Sequence, residues 1–168
     1  MSKTLEIQRM VESHIAEYLC KSEGWSFHWN KRTTALGLTH FRTRQIELSI
    51  LFASVLPMEV MENTSLHEVA HALAGFHAGH DLEWQEYALL VGAKPERCAN
   101  VEEYRHLLTP ATMGYKYSAV CQTCNYQFHF SRMGKQWKTG RKACNQCCNQ
   151  YNRGKWDERF ILQIIRHY

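Results

Sequence analysis

At 168 residues, with 20 Lys or Arg against 16 Asp or Glu and a formal net charge of +4, the chain can bury roughly 70% of its unfolded surface, enough for one ordinary core plus a small appended module. No run approaches the ~20 apolar residues of a membrane helix, and Glu6 and Glu12 interrupt the segment where a secretion signal would be apolar; the expectation is a soluble protein, cytoplasmic or nucleoid/nuclear, not secreted and without a membrane partner. Four of the seven cysteines sit in metal-binding spacing, which leaves Cys20, Cys98 and Cys148 as an odd set of reduced thiols, with Cys20 and Cys98 expected in the core.

Along the chain, Leu5, Ile7, Met10, Val11, Ile15, Ala16, Tyr18 and Leu19 approximate helical spacing and predict a first helix over Leu5–Leu19. Strand-like stretches follow at Trp25–Trp29, Ala35–Phe41 and Gln45–Ile50, where alternation at Trp25, Phe27, Trp29 and at Leu36, Leu38 predicts a half-buried sheet.

A second helix is predicted over Met58–Ala74, with Asn63, Thr64 or Ser65 available to cap a start near its functional end and Gly75 suited to a left-handed stop. Within it, His67-Glu68-Val69-Ala70-His71 spells H-E-x-x-H. Helical spacing stacks His67 and His71 one turn apart on one face, where two neutral imidazoles can grip a zinc ion, while Glu68 supplies the carboxylate that deprotonates the attacking water. The turn after Gly75 brings candidates for a third ligand. His77 stands at the six-residue offset of H-E-x-x-H-x-x-G-x-x-H, but Ala74 occupies that pattern's glycine position. His80 is the second candidate. Glu83 or Glu86 is a third, on a helix predicted to start near Asp81 and end at Gly92.

Thr109-Pro110 and Gly114 mark a junction at Leu108–Gly114. Beyond it, Tyr115–Val120 and Tyr126–Phe130 read as strands and Trp156–Arg166 as a C-terminal helix. Cys121-x-x-Cys124 and Cys144-x-x-Cys147, with nineteen residues between them, predict a closed tetrahedral zinc site that folds the tail; Cys148 is an alternative fourth ligand. Asn125 and Cys148 stand where such knuckles often carry glycine. Residues 1–114 hold ten Lys or Arg against fourteen Asp or Glu, a formal −4, whereas residues 115–168 hold ten against two, +8, or nearer +6 with four thiolates around a zinc ion. Arg132, Lys135, Lys138, Arg141 and Lys142, interleaved with Trp137 and other aromatic residues, are candidate nucleic-acid contacts: cations hold phosphates while rings stack unpaired bases. His129 is expected at the surface rather than as a ligand.

The run His67-Glu-Val-Ala-His-Ala-Leu-Ala-Gly75, then Gly79-His80-Asp81 and Trp84, resembles the SprT-like (Spartan-related) metalloproteases. In that family the third zinc ligand is the histidine of a Gly-His element followed by Trp or Phe, so the resemblance implies His80. It also implies a C-terminal zinc ribbon and an α+β, zincin-like fold in which helices pack on a small antiparallel sheet whose edge strand lines the cleft; Gln45–Ile50 is the candidate edge. The expected organisation is a peptidase domain over 1–114 and a four-cysteine zinc ribbon over 115–168, with two zinc ions per monomer. The implied activity is proteolysis of DNA-bound or DNA-crosslinked proteins, with single-stranded or junction DNA as partner. Two rivals remain: a non-catalytic nucleic-acid-binding protein on a peptidase-like scaffold, and a peptidase whose basic tail binds an acidic protein.

Overall fold

A computed structural model describes residues 2–96 and 101–167, so the reading of Cys98 lies outside the described residues. The chain divides into two compact units, Met1–Leu108 and Thr109–Tyr168, at the N-terminal end of the Leu108–Gly114 junction. Each is a mixture of helices and one three-stranded sheet. Among the described residues no helix is long and apolar enough to cross a membrane.

In the first unit, α1 (Lys3–Tyr18) starts at Ser2, whose Oγ accepts the Leu5 N–H, and buries Ile7 and Val11 one turn apart. Cys20, just beyond it, is exposed rather than in the core. Strands β1 (Ser26–Asn30), β2 (Gly37–His40) and β3 (Gln45–Ser49) follow. Their order is β1-β3-β2, with β1 parallel and β2 antiparallel to β3, so the sheet is mixed and not antiparallel throughout. This overturns the expected edge: Gln45–Ser49 is the central strand, with Ile46 and Leu48 fully buried, and Ile50 already belongs to the next helix. The physical reason is local. A four-residue loop, ending at Arg44 in the left-handed region (φ 51°), folds β2 back on one side of β3 and leaves the other side to β1. β2 is therefore an edge.

Helix α2 (Ile50–Val55) buries Phe52 and Ala53. Pro57 then precedes α3 (Met58–Ala74), which packs against α1, β2 and α4 (Leu82–Val91). Asn63, Thr64 and Ser65 are not caps but interior residues of α3 whose side chains found other partners. Thr64 Oγ1 donates to the Val60 carbonyl at 2.7 Å, Ser65 Oγ lies 3.0 Å from His14 Nδ1 on α1, and Asn63 Oδ1 accepts the Lys94 N–H at 2.9 Å. Helix α4 keeps its predicted bounds: Asp81 caps it by accepting the Trp84 N–H, and Gly92 ends it with φ 83° and ψ 14°. A short helix α5 (Val101–Arg105) buries nothing.

In the second unit, β4 (Tyr117–Val120) lies between β5 (Gln127–Phe130) and β6 (Gln163–Arg166), antiparallel to both. The predicted C-terminal helix is absent: Glu158–Phe160 forms one 3-10 turn and Gln163–Arg166 is a strand. Apolar positions at 156, 160, 161, 164 and 165 mimic helical spacing, but Ile161, Ile164 and Ile165 are β-branched, and the open side of β4 offers a row of backbone partners. Helices α6 (Lys135–Lys138) and α7 (Asn145–Asn152) complete the unit, whose core is Cys121, Ala143, Cys144, Cys147, Cys148 and Phe160.

Candidate functional site

His67 and His71 point from one face of α3, and the chain must return to supply anything more. Gly75 makes that possible. It ends α3 at φ 89° and ψ 170°, a region that only glycine populates rather than the left-handed helical one expected, and a Cβ there would meet no atom within 4 Å, so the requirement is conformational and not spatial. The connector delivers His80 beside the helix, and the three Nε2 atoms form a near-equilateral triangle: His67–His71 3.2 Å, His71–His80 3.1 Å and His67–His80 3.1 Å. Tetrahedral ligands at ~2.0–2.1 Å from a zinc ion would stand about 3.3–3.4 Å apart, so this donor set fits one metal ion. Burial, reinforced by the neighbouring imidazoles, lowers the pKa of His67 to about 3; burial and His80 lower that of His71 to about 4. Both rings are thus neutral near pH 7, the form in which imidazole ligates a cation. Trp84, fully buried in the first turn of α4, packs its indole on all three rings at centroid distances of 4.6, 5.2 and 4.6 Å. His77, Glu83 and Glu86 are exposed and outside this cluster.

Glu68 emerges from α3 toward the sheet, only 3% exposed. Thr39 Oγ1 on β2 lies 2.7 Å from Glu68 Oε2 and 2.8 Å from the Glu68 carbonyl oxygen, fixing the carboxylate against the strand. A Cβ on Gly37 would stand 2.7 Å from both Glu68 Cγ and Oε1 and 2.9 Å from Thr64 Cγ2, so glycine at this position is what admits the carboxylate between helix and sheet. Burial pushes the pKa of Glu68 up to about 7, against the opposing hydrogen bond from Thr39. Such a group can both accept and return a proton near neutral pH. Glu68, His71 and His80 line one cleft of about 350 Å³ with Gly37, Leu38, Thr39, Phe41, Gly75, Phe76 and Gly79. Sequence reasoning missed Gly37, Thr39, Phe41 and Phe76, because nothing local marks a residue that meets the site through a strand edge or a connector.

In the second unit Cys121, Cys124, Cys144 and Cys147 converge, with Sγ–Sγ distances of 3.6 Å (Cys121–Cys147) and 3.7 Å (Cys124–Cys144). A tetrahedral zinc with ~2.3 Å Zn–S bonds has edges of about 3.8 Å, so four thiolates here fit a closed metal site. Burial raises the Cys121 thiol, but the Cys124 and Thr123 backbone N–H groups and neighbouring thiols outweigh it and hold the pKa at about 7. Asn125, at φ 55°, adopts the left-handed conformation that glycine often supplies after such a knuckle, and Cys148 sits inside α7, where no turn is needed. Cys148 is buried beside the cluster and not in it; His129 is half-buried, 2.7 Å from Ser118 Oγ, and also outside.

Arg132, Lys135, Lys138 and Arg141 are exposed, while Trp137 and Lys142 are half-buried. Trp137 stacks on Phe130 (4.8 Å, 19°) and Phe128 (5.6 Å, 21°), and Lys142 Nζ lies 4.4 Å from its ring centroid. Beside them, a cavity of about 520 Å³ is lined by Lys135, Arg141, Lys142, Asn145 and Trp156, the last held by its Nε1–H donating to the Arg141 carbonyl at 2.7 Å.

Residues 6–105 match the family model described as the SprT-like family. No curated protein and no solved structure gives a significant match to the chain.

Two measurements check this geometry. His80→Ala should lower metal content at the histidine site, read by elemental analysis, while His77→Ala should leave it unchanged, because only His80 shares the triangle. Gly37→Ala should destabilise the protein by about 1–3 kcal/mol in urea unfolding, with a coupling of about 0.5–3 kcal/mol to Glu68→Ala in a double-mutant cycle, since removing the Glu68 side chain clears most of the space the new methyl requires.

Proposed function

The chain belongs to the SprT-like family, and on that footing we propose that it is a zinc-dependent endopeptidase of zincin-like architecture that cleaves DNA-bound or DNA-crosslinked proteins. The observation that carries the reading is the convergence of three imidazoles, with a buried carboxylate of raised pKa lining the same open cleft as His71 and His80.

His67, His71 and His80 would hold a zinc ion, which when bound would supply Lewis acidity toward the scissile carbonyl and the attacking water. Glu68 takes a proton from that water as its oxygen bonds to the carbonyl carbon, then gives the proton to the departing amine nitrogen as the C–N bond breaks. Thr39 restrains Oε2, which leaves Oε1 for this exchange. The edge strand β2, whose Gly37, Leu38 and Thr39 line the cleft, offers backbone groups to an extended peptide by strand addition. A scaffold without catalysis would have no use for a carboxylate buried this deeply, and the energetic cost of Glu68 favours the enzyme.

The second unit supports a nucleic-acid tether: its formal charge is +8 over residues 115–168, and Lys142 lies over the Trp137 ring of its aromatic stack. The four-cysteine site serves as its structural zinc.

Glu68→Gln should keep metal and fold yet lower cleavage of a DNA-bound protein by about 10²–10⁴-fold, because the amide preserves shape but accepts no proton; full activity in the metal-replete variant would sink the mechanism. Single-stranded DNA affinity should fall as salt rises, with a slope of about −0.7 per phosphate neutralised, and replacing Lys138, Arg141 and Lys142 by Gln should flatten that slope by about two units. An unchanged slope in a folded triple variant, by circular dichroism and zinc content, would remove this unit from the DNA contact.

A further inference from the structure

Part of the cleft wall is aromatic. Phe76, 74% exposed, follows the glycine that ends α3 and lies edge-on to Phe41 from the β2–β3 loop, with centroids 5.6 Å apart at 83°. Phe41 in turn meets Trp25 edge-on at 6.2 Å and 82°. Both phenylalanines line the same cleft as Glu68, His71 and His80, and the remainder of that lining is Gly37, Leu38, Thr39, Gly75 and Gly79, none of them charged. Gly75 and Gly79 carry no side chains to fill the space between Phe76 and His80.

We propose that Phe41 and Phe76 form a specificity subsite that selects a bulky apolar side chain at one position flanking the scissile bond of the peptide substrate. The inference rests on the peptidase reading of this cleft. An apolar side chain seated here removes its own surface and the exposed Phe76 ring from water together, whereas an acidic or basic one is desolvated against the two rings, which carry no charge to receive it. The edge-to-face contact with Phe41 holds Phe76 in place, so the subsite exists before substrate arrives. Phe76 also shares its connector with His80, so the conformation of Gly75 that returns the histidine sets the ring.

A degenerate peptide library digested by the full-length, zinc-loaded protein, with cleavage sites read by mass spectrometry, should show Leu, Phe, Met and Ile enriched at one flanking position by about tenfold or more over Asp and Lys, the ratio expected for burying one such side chain. Phe76→Ala and Phe41→Ala should each compress that ratio severalfold, and Phe76→Lys should shift it toward Asp and Glu. In parallel, labelled peptides differing only at that position, bound to the Glu68→Gln protein and followed by fluorescence anisotropy, should show the same order of affinity and the same loss in the Phe76→Ala background. If the library is not cut but the Glu68→Gln protein still prefers apolar peptides through Phe76, the peptidase reading fails and the subsite stands. Equal binding of apolar and acidic peptides, or a preference untouched by changes at both Phe41 and Phe76, overturns the subsite.

Discussion

The contact between Thr39 and Glu68 is the interaction on which the first unit turns. A helix that presents His67 and His71 on one face must send the residue after His67 about 100° around the axis, so Glu68 leaves the metal-facing side and enters the seam between α3 and the sheet. No salt bridge among the described residues involves it. A buried carboxylate in that position needs a donor and needs room, and the edge strand β2 supplies both: a hydroxyl at Thr39 and a missing side chain two residues earlier at Gly37. The strand that offers its free backbone edge to the cleft is therefore the strand that holds the buried carboxylate, so the position of Glu68 and the geometry of the cleft edge are set together.

Much of this was legible from the chain. H-E-x-x-H, the paired C-x-x-C spacings, the bounds of α4 and the course of α1 all rest on local periodicity or local ligand chemistry, which short windows carry. Sheet order was not legible. Alternation at Phe27 and Trp29 or at Ile46 and Leu48 says which residues share a face, but nothing in it says that β1 pairs with β3 across the intervening β2. For the same reason the sequence points to Gln45–Ile50 as the cleft edge, whereas the edge strand lining the cleft is Gly37–His40. The misread Trp156–Arg166 segment shows the same limit from another side: helical spacing of apolar residues lost to β-branched side chains and an available strand edge far back along the chain. Thr64 and Ser65 misled by composition, since their hydroxyls serve helix interiors as readily as helix starts when a carbonyl or a neighbouring histidine is in reach.

The two units use cysteine and histidine differently. In the first, the candidate metal ligands are added to an independent apolar core that includes Ile7, Val11, Leu48, Phe52 and Met61. In the second, four of the six residues of the buried cluster are cysteines, and Phe160 is the one large apolar side chain among them. Such a small unit has little hydrophobic surface with which to offset chain entropy, and its fold is tied to the convergence of its thiols.

The strand order of the second unit also sets a sequence of events in time. The β4–β5 hairpin closes a loop of only six residues and positions Cys121 and Cys124 within it, the Cys121 N–H donating to the Tyr126 carbonyl and the Asn125 N–H to the Cys121 carbonyl. Strand β6 reaches the other side of β4 only after a segment that carries α6, α7 and the second cysteine pair has been drawn in. Loop-closure entropy favours the short hairpin, and the pairing of β6 with β4 closes the longer loop of this unit. A nascent chain cannot take that step until β6 itself has left the ribosome, so during synthesis the completion of the basic unit lags behind the closure of its own hairpin.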